Sequence, residues 1–62
     1  MAWLAVDKNG TECIFSEMPH QYLRMNVWAS DNDDDGINIP EGTIEKILGY
    51  KLTWDDEPIE IK

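Results

Sequence analysis

A single cysteine, Cys13, stands in a chain of 62 residues, which excludes an internal disulfide. One histidine, His20, and no CxxC pair exclude a structural zinc site. Basic residues are scarce: five Lys and Arg face thirteen Asp and Glu, for a net charge of −8. Phosphate contacts need clustered Lys and Arg, so nucleic acid is not expected as a partner, and neither is an anionic membrane surface. No apolar run approaches the roughly 20 residues of a membrane span. The opening MAWLAVDKNG has no basic leader, and its apolar stretch stops at Asp7, short of the roughly 7–15 residues of a signal peptide. A lone free thiol suits a reducing compartment, so the expectation is a cytoplasmic protein.

A chain this short forms one domain, 1–62, and buries about 60% of the surface it exposes when unfolded. Its core supplies roughly 3–5 kcal/mol. Bulky rings are the available compensation. Trp3, Phe15, Tyr22, Trp28, Tyr50 and Trp54 are spread along the chain, and each buries on the order of 150–250 Å².

Local chemistry orders these residues. AWLAV and TECIF flank DKNG, in which Asp7 opens a type I turn and Gly10 closes it with a bulge. That register sets Trp3 opposite Phe15 and Ala5 opposite Cys13 on one face, with Leu4 and Ile14 on the other. A two-residue Asn-Gly turn would instead oppose Asp7 and Glu12, two like charges. SEMPHQYL reads as a loop, because Pro19 drives Met18 toward extended geometry. LRMNVWAS alternates Leu23, Met25, Val27 and Ala29 against Arg24, Asn26, Trp28 and Ser30. It predicts a third strand with Trp28 on the less apolar side.

INIP predicts a short edge strand that Pro40 ends. GTIEKILG predicts one helix, with Thr43 as N-cap, Gly49 as stop, and Ile44, Ile47 and Leu48 on one apolar face. Thr53 and Asp56 form a capping-box-like turn that Pro58 cuts short, and Ile59 and Ile61 alternate in a last strand. The sum is a small α+β fold: a largely antiparallel sheet of about four to five short strands with one short helix.

The motifs AVDKNGTECIFSEMP and IPEGTIEKILGYKLTWDDEPIEI carry a resemblance over nearly the whole length. The chain resembles short uncharacterised proteins of gut Bacteroides-type bacteria and their phages. These run as an early tryptophan, D-K-x-G, a proline, and a closing block like L-P-x-G-T-I-x-K-L-I-G-x-x-L-T-W-x-D-x-P-V-x-L. The matching residues are Gly42-Thr43-Ile44 through Gly49, then Leu52-Thr53-Trp54, Asp56 and Pro58. The resemblance implies a phage or mobile-element origin and carries no activity. The aspartate run fits the pattern worst.

That run, SDNDDDGINIPEG over 30–42, is half of a calcium loop. Calcium takes about 6–8 oxygens, and an EF-type loop has ligands at positions 1, 3 and 5, then glycine at 6. Asp31, Asp33, Asp35 and Gly36 meet this pattern. Position 12, the bidentate glutamate, is Gly42, and Glu41 comes one residue early. A site so depleted binds calcium at about 10⁻⁴–10⁻³ M, if at all. The alternative is a solvated turn.

Other reactive types are isolated. His20 has only Glu17 near it in sequence. Cys13 has core neighbours and no cation to activate it. Asp55, Asp56 and Glu57 form a carboxylate run, in a chain with little room for a concave pocket. The expectation is a non-enzymatic interaction module without a cofactor. An exposed Trp28 or Trp54, ringed by acids such as Asp55 and Asp56, anchors a basic protein partner. In a phage or mobile-element setting it acts as an adaptor or inhibitor. A self-associating structural protein and a weak calcium module are the alternatives, and nucleic-acid mimicry ranks below both, because the acids gather in two loops instead of along an extended face.

Overall fold

The computed structural model describes residues 2–32 and 34–62. Two hairpins, an edge strand, one helix and a closing strand make up the described residues. β1 (Ala2–Val6) and β2 (Glu12–Phe15) form the first hairpin. The register is the one the bulged turn demands: Trp3 opposite Phe15, Leu4 opposite Ile14, Ala5 opposite Cys13. The Asp7 amide donates to the Thr11 carbonyl at 2.9 Å, and the Gly10 amide to the Asp7 carbonyl at 2.9 Å. Gly10 holds φ at +92°, a left-handed conformation cheap only for glycine.

β3 (His20–Tyr22) and β4 (Val27–Ala29) form a second, separate ribbon. Here the structure corrects the sequence reading twice. The expected loop contains a strand, and the expected strand over 23–30 begins with a turn. The Met25 amide closes that turn on the Tyr22 carbonyl at 3.2 Å, and Asn26 takes a φ of +59°. Asn tolerates this region through its short polar side chain, so the chain reverses where the alternation of Leu23 and Met25 suggested it would run straight.

β5 (Ile37–Ile39) and β6 (Ile59–Ile61) complete a four-stranded antiparallel sheet in the order β5-β2-β1-β6. Together with the ribbon and one helix this is a small α+β fold. Gly36 opens β5 at a φ of +95°, and a Cβ there would sit 2.7 Å from the Phe15 ring. The close approach lets the ring pack directly against the backbone.

Strand alternation gives the sheet two apolar faces. Leu4 and Val6 point to one side and meet Ile44 and Leu52, with Ile14, Ile39, Leu48, Ile59 and Ile61 around them. The helix α1 (Thr43–Leu48) covers that side. Ala5, Cys13 and Phe15 point to the other and meet Trp28, with Trp3 and Trp54 at the margin. The β3–β4 ribbon covers this side, so the layers run helix, sheet, ribbon. Of the expected helix face, Ile44 is buried and Leu48 half-buried, whereas Ile47 is exposed. Gly49 follows the helix as its stop, and the Thr53–Asp56 turn forms, with the Asp56 carboxylate accepting from the Thr53 amide and hydroxyl at 3.0 Å each. No helix among the described residues is long and apolar enough to cross a membrane.

The helix start differs from expectation. Gly42, not Thr43, is the N-cap, and the Thr43 hydroxyl turns back to the Pro40 carbonyl at 2.7 Å. The free amides at the helix start are met from β2: the Glu12 carboxylate accepts from Gly42 at 2.7 Å and from Ile44 at 2.9 Å. A buried carboxylate needs donors and a helix start needs acceptors, so each resolves the other's desolvation.

Candidate protein-interaction surfaces

The two ends of the molecule differ in charge. Both hairpin turns lie at one end, joined by a hydrogen bond of 3.2 Å from the Lys8 amide to the Asn26 carbonyl. At the other end β2 leaves the sheet through Ser16 and Glu17, where the aspartate-rich segment meets it. Asp35 fastens the two together. Its carboxylate accepts from the Ser16 amide at 2.8 Å, the Ser16 hydroxyl at 2.9 Å, the Glu17 amide at 3.0 Å and the Gly36 amide at 3.0 Å. The Ser16 amide first, then the Glu17 amide and the Ser16 hydroxyl, hold this carboxyl well below the usual carboxylate range, outweighing the opposing effect of desolvation.

The residues of the half calcium loop are accordingly engaged in different directions. Asp31 lies 3.6 Å from the His20 imidazole, a contact that becomes an ion pair when the ring is protonated, while Asp35 faces Ser16 and Glu17. The ligand position at Asp33 lies outside the described residues. Among the described residues no group of three or more His, Cys, Asp or Glu is gathered as a metal site. His20 is in β3 rather than in a loop, and its side chain is exposed.

Cys13 is buried, as its strand position predicts. Its thiol faces the Asn38 side-chain oxygen at 3.4 Å and the Asp7 carboxylate at 3.8 Å. Burial first, then the nearby Asp7 charge, pushes this thiol up to about 11, so it stays protonated near neutral pH. Asp7 itself is turned inward, accepting from the Trp28 amide at 2.9 Å.

The tryptophans are not where an exposed Trp28 anchor requires. Trp28 is 9% exposed and lies on the ribbon side of the sheet, where its ring meets Trp54 edge-on at 6.0 Å between centroids and 69° between planes. The face that looked less apolar in the strand is the one that closes over Phe15 and Ala5, because the ribbon is laid on an aromatic sheet face. The Trp28 indole N–H is buried with no hydrogen-bond partner among the described residues. Trp54 is half-buried, with its carbonyl accepting from the Gln21 amide group at 3.0 Å. Asp55 and Asp56 are exposed beside it, but Asp56 is committed to Thr53.

Two open grooves flank this aromatic layer. One, of about 340 Å³, runs past Trp54 and Asp55. Its charges are mixed, since Lys8 and Lys51 line it together with Glu41, while Glu12 and Asp7 are spent on backbone amides. The other, of about 590 Å³, is lined by Trp3, Trp28, Pro19 and Pro58, with Met18, His20 and Glu57 exposed along it. Among the described residues no Lys or Arg lines it. Trp3 stands opposite Glu60 across the β1–β6 pair, which brings a second carboxylate to its flank. Trp3, half-buried, thus has Glu57 along its groove and Glu60 across the strand pair. The alternation of AWLAV places Trp3 on a core face with Ala5, which hid its access to a groove. Its cue was the pairing of Trp3 with the last strand, where Glu60 alternates with Ile59 and Ile61.

No family model matches the chain, and neither a curated protein nor a solved structure matches it.

Proposed function

We propose that the chain is a non-enzymatic protein-interaction module that receives a basic segment of a partner in the groove over Trp3. The observation that carries this reading is the composition of that groove: two indoles and two prolines, flanked by Glu57 and Glu60 without a lysine or arginine. Aromatic side chains supply contact area at little conformational cost, and carboxylates around them select and steer cationic partners. The net charge of −8 acts in the same direction. The resemblance to phage-associated proteins suits an adaptor or inhibitor of a host protein.

The test is affinity capture from the producing cells with the wild-type chain and with Glu57→Lys/Glu60→Lys. A basic protein retained by the wild type, eluted by added salt and lost with the reversed pair supports the proposal. Equal recovery by both chains refutes it.

A second reading, self-association, is favoured by β5. It is an edge strand of the sheet, and Ile37 on it is 67% exposed. Sedimentation at several concentrations separates the two readings, because a strict monomer excludes the second.

A further inference from the structure

We propose that the tip of the β3–β4 ribbon is a docking finger, with Leu23 and Met25 entering an apolar pocket of a partner protein and Arg24 and Lys8 meeting an acidic rim around it. This surface is at the opposite end of the ribbon from the aspartate-rich segment, and it does not rest on the groove reading.

The two turns of the molecule differ in composition. The 7–11 turn is built from Lys8, Asn9 and Gly10, residues that suit the conformation and water. The 22–27 turn needs one unusual residue, Asn26 at a φ of +59°. Nothing in its geometry calls for Leu23 or Met25. Yet each is 70% exposed, and Tyr22 beside them is 41% exposed. Leu23 and Met25 are the most exposed large apolar side chains among the described residues, two positions apart on one tip. Folding gains little from side chains so wet, whereas a partner would gain by covering them.

The tip is also preorganised. The tip is braced by Met25 to Tyr22 at 3.2 Å, Lys8 to Asn26 at 3.2 Å, and the Trp28 amide to Asp7 at 2.9 Å. A tip held in place loses little freedom when it binds, so less of the contact energy is offset.

Charge distinguishes this end of the molecule as well. Asp7, the acid of these two turns, points inward to the Trp28 amide. Lys8 and Arg24 are exposed, and neither is paired with a carboxylate among the described residues. Lys8, on the neighbouring turn, also lines the groove that holds Glu41 and Asp55, whereas Arg24 stands between Leu23 and Met25, so a chain of net charge −8 carries a cation on its apolar tip. The complementary surface is an apolar pocket edged by Asp or Glu. An anionic membrane would be repelled by the rest of the molecule.

The test is site-specific photocrosslinking in the producing cells, using the full chain with a photoreactive phenylalanine analogue at 23 or 25 and, as a control, at Asp34, exposed at the opposite end. The expected result is one discrete protein adduct from 23 and 25, absent from 34, whose crosslinked segment is apolar and flanked by Asp or Glu. Arg24→Glu/Lys8→Glu should leave the melting temperature within a few degrees while the adduct falls about tenfold or more, the loss typical of a disabled contact centre. Adducts to lipid, adducts to a second copy of the chain, equal labelling from 34, or a protein adduct unchanged by the charge reversal would each overturn the proposal.

Discussion

At Asp35 four donors converge on one carboxylate, and this single residue joins the end of β2 to the start of β5. Its lowered pKa fixes the sign of a pH effect. The carboxylate stabilises the fold fully above the unfolded value, about pH 4, and that stability drains away as the pH falls toward the lower folded value. Asp35→Asn should therefore melt below the wild type at pH 7, and the gap should narrow progressively below about pH 4 in thermal melts. Trp28 predicts a different asymmetry. Its buried N–H has no hydrogen-bond partner among the described residues, so its removal relieves a desolvation cost of about 1–3 kcal/mol. Trp28→Phe should lose no more than about 1–2 kcal/mol, against about 3–5 for Trp28→Ala, by denaturant unfolding. Neither role was legible in the sequence. The aspartates looked alike as a run, and only the backbone of Ser16 and Glu17, brought from another part of the chain, distinguishes Asp35.

Elements were legible where their chemistry is local. The first hairpin follows from like-charge avoidance between Asp7 and Glu12 together with a glycine at the bulge, and its register appears unchanged in the structure. The Thr53–Asp56 turn and the edge position of β5 follow from similarly short-range signals. The β3–β4 ribbon was hidden because Leu23 and Met25 imitate the period of a strand while serving no core. The cap of α1 was hidden because its acceptor lies 30 residues away in Glu12. The sequence did contain a cue, since Glu12 shares a face with Ile14 and a carboxylate on a core face demands donors. Glu12→Ala strands two amides and should cost about 2–4 kcal/mol, or roughly 10–25 °C in melting temperature for a domain of this size. Glu12→Gln keeps one acceptor oxygen and should fall between. A Glu12→Ala chain that melts with the wild type would remove the cross-element cap.

At the scale of the whole molecule, a sheet with two apolar faces explains how a chain without staples hides most of its rings. The helix closes the aliphatic face over Leu4 and Val6, and the ribbon closes the aromatic face over Ala5 and Phe15. This division leaves Trp3 at a groove flanked by acids and carries Leu23 and Met25 to a tip, so both proposed contact surfaces depend on where the ribbon lies. The most direct test is hydrogen exchange and proton–proton NOEs of the three tryptophan indoles by NMR. The structure predicts that the Trp28 indole N–H exchanges slowly and that its ring shows NOEs to the Phe15 ring, the Ala5 methyl and the Trp54 ring. A Trp28 indole that exchanges as fast as a solvent-exposed side chain, with no NOE to the sheet, would contradict the placement of the ribbon and the surfaces built on it.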